Sequence, residues 1–262
     1  MNFDEERAFW LLESYVWLNQ SLPPMSQRGP DGIIFPHDTR FARRNTFDHT
    51  YAVFLFETVQ GMMELSEWPC ELHPEFDDQK AFIDSAKSTG LLGDSKTAGA
   101  AGTFRVEEDN RVIITYSTDK LRDPISLAAT FAHELSHYLL ATIRDEPPTG
   151  WKDLEYLTDL TDLTAIKEGF GIFLSQSCFQ FQQWSDALSG GWSQSNQGYL
   201  SESEISFALA LYSHLHDVEE EKIAANLKPN AKESYYLAMD DLADLPDWIR
   251  ILKDSPTARA SS

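Results

Sequence analysis

Basic residues are scarce in this chain. Only 21 Lys and Arg stand against 42 Asp and Glu, a formal net charge of −21 at pH 7 across 262 residues. Such a balance repels phosphate backbones and anionic lipid, so neither a nucleic acid nor a membrane is the expected partner. It admits a basic peptide or protein, although solubility alone is a sufficient reason for it. Cysteine is almost missing. Cys70 and Cys178 lie far apart with no C-x-x-C spacing, which argues against a disulfide framework and fits buried thiols in a reducing cytosol. No apolar run approaches the length of a membrane span. The opening segment Met1-Asn2-Phe3-Asp4-Glu5-Glu6-Arg7 is acidic and lacks the basic-then-apolar form of a signal peptide, so a cytoplasmic location is expected. Gly-rich phosphate loops and G-x-S-x-G are both missing, so neither supplies a functional reading.

What is present is H-E-x-x-H, in His133-Glu134-Leu135-Ser136-His137. On a helix, positions i and i+4 lie on one face, so both imidazoles can hold a single Zn²⁺. This is the signature of zincin-type hydrolases, in which the Glu between the ligands is the general base. The surroundings predict a helix there. Asp123-Pro124 reads as N-cap and N1, and 125–143 contains no Gly or Pro. Leu127, Ala128, Phe131, Ala132, Leu135, Tyr138 and Leu139 form a broad apolar arc. Ser126, Thr130, His133 and His137 form a narrow stripe, expected to be the wet side of a nearly buried helix. The competing reading is a core helix whose histidines are satisfied by hydrogen bonds. It has to bury two His and a Glu without metal, which is expensive.

A catalytic zinc usually keeps three protein ligands. No His stands six residues after His137, so the metzincin extension is absent. Beyond a turn through Pro147-Pro148, Glu155, Asp159 and Asp162 fall on one helical face. Here the chain resembles the gluzincins, the thermolysin-like group, whose second helix carries E-x-x-x-D. The resemblance implies that Glu155 is the third ligand and that Asp159 holds a ligand histidine by its other ring nitrogen. Thr-Asp-Leu occurs twice in succession, at 158–160 and 161–163, so the register stays open. If Asp162 holds the histidine, Asp159 can be the ligand. A solvated acidic face is the competing reading for these carboxylates. The run 123–140, the doubled Thr-Asp-Leu, Gly169-Phe170-Gly171-Ile172-Phe173 and Gly198-Tyr199-Leu200-Ser201-Glu202 also resemble a group of bacterial HExxH proteins. That likeness implies a metal site and a bacterial origin, and supplies no reaction.

Along the chain, 4–20 reads as an aromatic-rich helix with Phe9, Leu12, Tyr15 and Val16 in register. Residues 21–30 read as a loop, 32–36 as a short strand closed by Pro36, and 48–65 as a second helix. Residues 68–73 suit an edge strand because of Pro69. The Gly/Ala/Ser/Lys-rich stretch 85–102 reads as flexible, its Gly99-Ala100-Ala101-Gly102 either a hinge, a ligand-facing loop or a plain linker. Residues 103–117 predict a β-hairpin turning at Asp109-Asn110. An edge of that hairpin can pair with an extended peptide. A long helix over 154–181 carries Gly169 and Gly171, and 189–199 is a polar loop. Ser201 and Glu204 form a capping box with Leu200 and Ile205 as its staple, opening a helix to about His216. Two further helices fill 218–252. His214, His216 or Tyr199 can stabilise an oxyanion, but a helix C-terminus that favours positive charge explains the two histidines equally simply. His37, His49 and His73 lack ligand spacing.

The expected fold is α+β and mainly helical, a zincin-like core with a small sheet or hairpin beside a buried HExxH helix. It spans 1–262 as one metallohydrolase-like domain, with a helical lobe at 1–84, the hairpin and metal helices at 103–181, and C-terminal helices at 200–252. The expected function is a Zn²⁺-dependent peptidase acting on a peptide or protein. Glu134 is its base, and His133, His137 and Glu155 are its ligands. The alternative is a metal-bound, zincin-like regulatory or interaction protein with little turnover.

Overall fold

The computed structural model describes residues 3–22, 32–41, 46–75, 102–148, 154–177 and 200–254, with 154 and 155 described by their backbone only. Helix α1 (Glu5–Ser21) begins where Asp4 accepts a bond from Arg7 N, with Glu5 and Glu6 beside the positive end of the helix dipole. Its buried face is Ala8, Leu11, Leu12, Tyr15 and Leu18. Phe9 and Val16 sit at the margin of that face. Helix α2 (His49–Met62) is capped by Asp48.

Among the described residues three strands form the sheet: β1 (Glu71–Glu75), β2 (Gly102–Val106) and β3 (Val112–Ser117), in the order β1-β3-β2. β2 and β3 are the antiparallel hairpin, paired Gly102↔Tyr116 through Val106↔Val112. Asn110 takes φ 65 in its turn, a conformation Asn tolerates. β1 runs parallel to β3 and begins after Pro69, later than the sequence predicts. The expected strand at 32–36 is not one. Ile34 N donates to Gly169 O at 3.0 Å, so this segment is tied to a helix and not to the sheet.

Helix α3 (Pro124–Thr142) carries the HExxH sequence. Asp123 caps it by accepting from Ser126 N at 3.1 Å, and Pro124 is in its first turn. Phe131 is its anchor: its ring meets Phe56 of α2 at 5.3 Å and Tyr116 of β3 at 5.8 Å. Helix α4 (Leu154–Ala165) packs along α3 and continues into a π turn over Ile166–Phe170. The chain is helical again over 171–177. Gly169 has φ 88 there, a backbone region that favours glycine.

Helix α5 (Glu202–His216) opens with the capping box of Ser201 and Glu204. Two helices were expected after it, and three are found. Short α6 (Glu220–Ala224) precedes α7 (Pro229–Ala243) and α8 (Pro246–Asp254), because Pro229 starts a new helix where the pattern reads as continuous. α7 lies against α5, with Ser213 Oγ and Tyr235 Oη 2.9 Å apart. The architecture is α+β and mainly helical. Among the described residues, no helix is long and apolar enough to cross a membrane.

Candidate metal centre

His133 and Glu134 are buried, at 7% and 4% exposure, while His137 is partly open. The stripe expected to be wet is therefore mostly dry. Thr130 Oγ1 donates to Ser126 O at 3.0 Å, and α4 supplies the partners of both histidines. The two imidazoles lie 4.9 Å apart between centroids, edge to face.

Their hydrogen bonds set their tautomers. His133 Nδ1 lies 2.7 Å from Asp162 Oδ1, and an ionised carboxylate only accepts, so Nδ1 carries the proton. His137 Nδ1 lies 3.3 Å from Thr161 Oγ1, whose own proton goes to Leu157 O at 2.8 Å. The hydroxyl is left as an acceptor, and His137 Nδ1 is again the donor. In the neutral form of either ring Nε2 is then the lone-pair nitrogen, the form in which imidazole ligates a metal. Burial, with a smaller contribution from the charge of His133, lowers His137 to about 3 and keeps it neutral. Burial also opposes charging of His133, but the bond and charge of Asp162, with Glu134 behind them, outweigh it and raise that ring above its usual range.

Glu134 is pushed up to about 7, chiefly by burial, with the charge of Asp162 adding and that of His133 opposing. It lies against Gly102, the first residue of β2. A Cβ at that position would sit 2.7 Å from Thr130 Cγ2, 2.8 Å from Thr115 O and 3.0 Å from Glu134 Oε1. Two residues on, the Phe104 ring stacks on His137 at 6.0 Å and meets Tyr138 at 5.8 Å. β2 thus runs along the HExxH face of α3.

The acids of α4 take separate partners. Asp162 holds His133 through Oδ1 and accepts from Leu200 N through Oδ2 at 3.1 Å. Asp159 does not reach a histidine. Its Oδ2 takes a bond from Arg7 Nη2 at 2.6 Å, and Arg7 Nε bonds Glu204. Both aspartates are buried, at 3% and 4% exposure, which overturns the reading of a solvated face for them. The Glu155 side chain lies outside the described residues. Among those residues, no set of three His, Cys, Asp or Glu converges as a metal site.

His214 and His216 stand at the far end of α5, on the order of 20 Å along the helix from the Leu200–Asp162 contact. They are too remote to serve an oxyanion at this site. His216 packs on Tyr212 at 4.2 Å. Tyr199, Cys178 and residues 99–101 lie outside the described residues. Cys70 is a free thiol, raised to about 11 by burial. Arg7, Phe104 and Thr161 belong to the site's surroundings and carry no ligand pattern in the sequence, whereas Gly102 ends the 99–102 run read as a hinge, a ligand-facing loop or a linker. The signal for Arg7 is a lone cation in an acidic helix beside a helix of buried acids.

The donor set suits zinc as far as it is described, with two imidazoles one helical turn apart, each bonded through Nδ1, and an acid behind one of them. Comparisons of the chain with protein-family models, with curated proteins and with solved structures return no match.

Proposed function

We propose that the chain is a zinc-dependent hydrolase, a peptidase, in which His133, His137 and Glu155 hold the metal and Glu134 is the general base. The observation that carries this reading is that Asp162 and Thr161 engage Nδ1 of the two HExxH histidines. Hydrogen bonds would also satisfy a purely structural pair; what favours ligation is that they engage Nδ1 in both rings, on two residues one helical turn apart. Bound there, zinc would supply a Lewis acid that polarises a carbonyl and acidifies a water. Glu134 accepts the proton of the attacking water and delivers it to the leaving amine. β2 is one of the two outer strands among those described and lies beside α3, where an extended peptide can add to its edge.

The test is bound metal, measured by elemental mass spectrometry on wild type and variants. About one zinc per chain is expected, lost in His133→Ala and Glu155→Ala and kept in Asp159→Ala, because Asp159 is engaged by Arg7. Protein that takes up no zinc when zinc is offered would overturn the reading. Glu134→Gln should keep the metal and lose peptide hydrolysis by about 100-fold or more. Unchanged function in that variant would favour the metal-bound regulatory protein instead.

A further inference from the structure

Two buried acids from two helices meet one cation behind the histidine pair. Arg7 of α1 reaches Asp159 of α4 with Nη2 and Glu204 of α5 with Nε. The acid side chains are 4% and 6% exposed, against 24% for Arg7. Its guanidinium lies 4.6 Å above the Trp10 ring and 5.9 Å from that of Tyr156, which fixes its plane. Glu204 is also half of the capping box: its Oε2 accepts from Ser201 N at 2.7 Å. The residue before Ser201 is Leu200, whose N–H holds Asp162 Oδ2. A continuous chain of bonds therefore runs from Arg7 through Glu204 to the 200–201 backbone, then to Asp162 and His133. A second arm runs from Arg7 to Asp159, one helical turn before Asp162. The planar fork of arginine makes both bonds at once, which a lysine point charge does not reproduce.

We propose that Arg7 is a positioning residue for the metal centre: by joining Asp159 to Glu204 it locks α4 against the start of α5, so that Asp162 and Leu200 hold the His133 ring with Nε2 toward the metal. This rests on the zinc reading above, and the experiment keeps the two separable. Zinc affinity is measured by competition with a chromophoric chelator, and exchange of the His133 Nδ1–H proton is followed by NMR in zinc-free protein. Asp162→Asn sets the scale of a lost histidine partner, about 10–100-fold in affinity. Arg7→Met should weaken zinc by about tenfold and speed exchange of that proton, with folding still cooperative. Should Arg7→Met fail to fold, the triple variant Arg7→Met/Asp159→Asn/Glu204→Gln removes the three charges together, leaves a Gln to cap Ser201 N, and should show the same two losses.

Wild-type zinc affinity and an unchanged Nδ1–H proton in the folded variants would overturn the proposal and leave Arg7 a structural ion pair. If wild type binds no zinc, the hydrolase reading fails, while the Nδ1–H proton still decides the role of Arg7.

Discussion

Glu134 carries its charge in one of the driest parts of the molecule, which makes the candidate base a burden on the fold. Its carboxyl stands at about 7 in the folded chain, against about 4.5 when unfolded. Between those values the folded protein binds the proton more tightly than the unfolded chain does. The contribution of Glu134 to stability therefore falls as pH rises through this window, and is flat above and below it. In zinc-free protein, Glu134→Gln should match wild type near pH 4. It should exceed wild type by on the order of 3 kcal/mol at pH 8, in paired denaturant titrations. A variant no more stable than wild type at pH 8 would show that the site is wetter than described. The identity of this residue, and of His133 and His137, was legible from the motif. The acid behind His133 was not. Asp159 and Asp162 are three positions apart, about 60° around a helix, and both lie on the face the pattern marks as inward. Which one meets the imidazole depends on how α4 is rotated against α3, and no local residue sets that rotation.

At the level of elements, the site is where a helix and a strand touch. α3 and the β2–β3 hairpin were both readable, because caps, period and turn residues act within a few positions. Their approach was not readable, since it turns on the missing side chain of Gly102. In Gly102→Ala, the added Cβ meets Thr130, the Thr115 carbonyl and Glu134 at 3.0 Å or less. The carbonyl is ladder backbone and yields little, so the hairpin or the carboxylate must move. The variant should lose about 1–3 kcal/mol in chemical denaturation and roughly tenfold in any peptide hydrolysis the wild type shows. An unaffected variant would mean that the strand is not held against the helix. The 32–36 segment failed as a strand for a related reason. β propensity needs a neighbouring strand, and Ile34 finds a carbonyl of the π turn.

The whole molecule carries 42 acids on a chain with few cations to offset them. Self-repulsion should make it sensitive to salt. Raising ionic strength from 0.01 M to 0.15 M shortens the screening length from about 30 Å to about 8 Å, and the melting temperature should rise by on the order of a few degrees. A flat or falling Tm in a salt series would show that the charges are already well dispersed. Within this excess of acid, the position of each cation matters more than its number, and Arg7 sits between two buried acids. By itself the sequence determined the HExxH helix and its cap, the hairpin, the capping box of α5 and the acidic character of the surface. Each of these follows from interactions between residues close in sequence or from composition. Tertiary structure alone decided that Asp162 faces His133 across 29 positions, that Arg7 reaches Asp159 across 152, and that Gly102 lies on Glu134. Those pairings depend on how preformed elements rotate and slide against one another, which packing of the common core settles and local propensity leaves open.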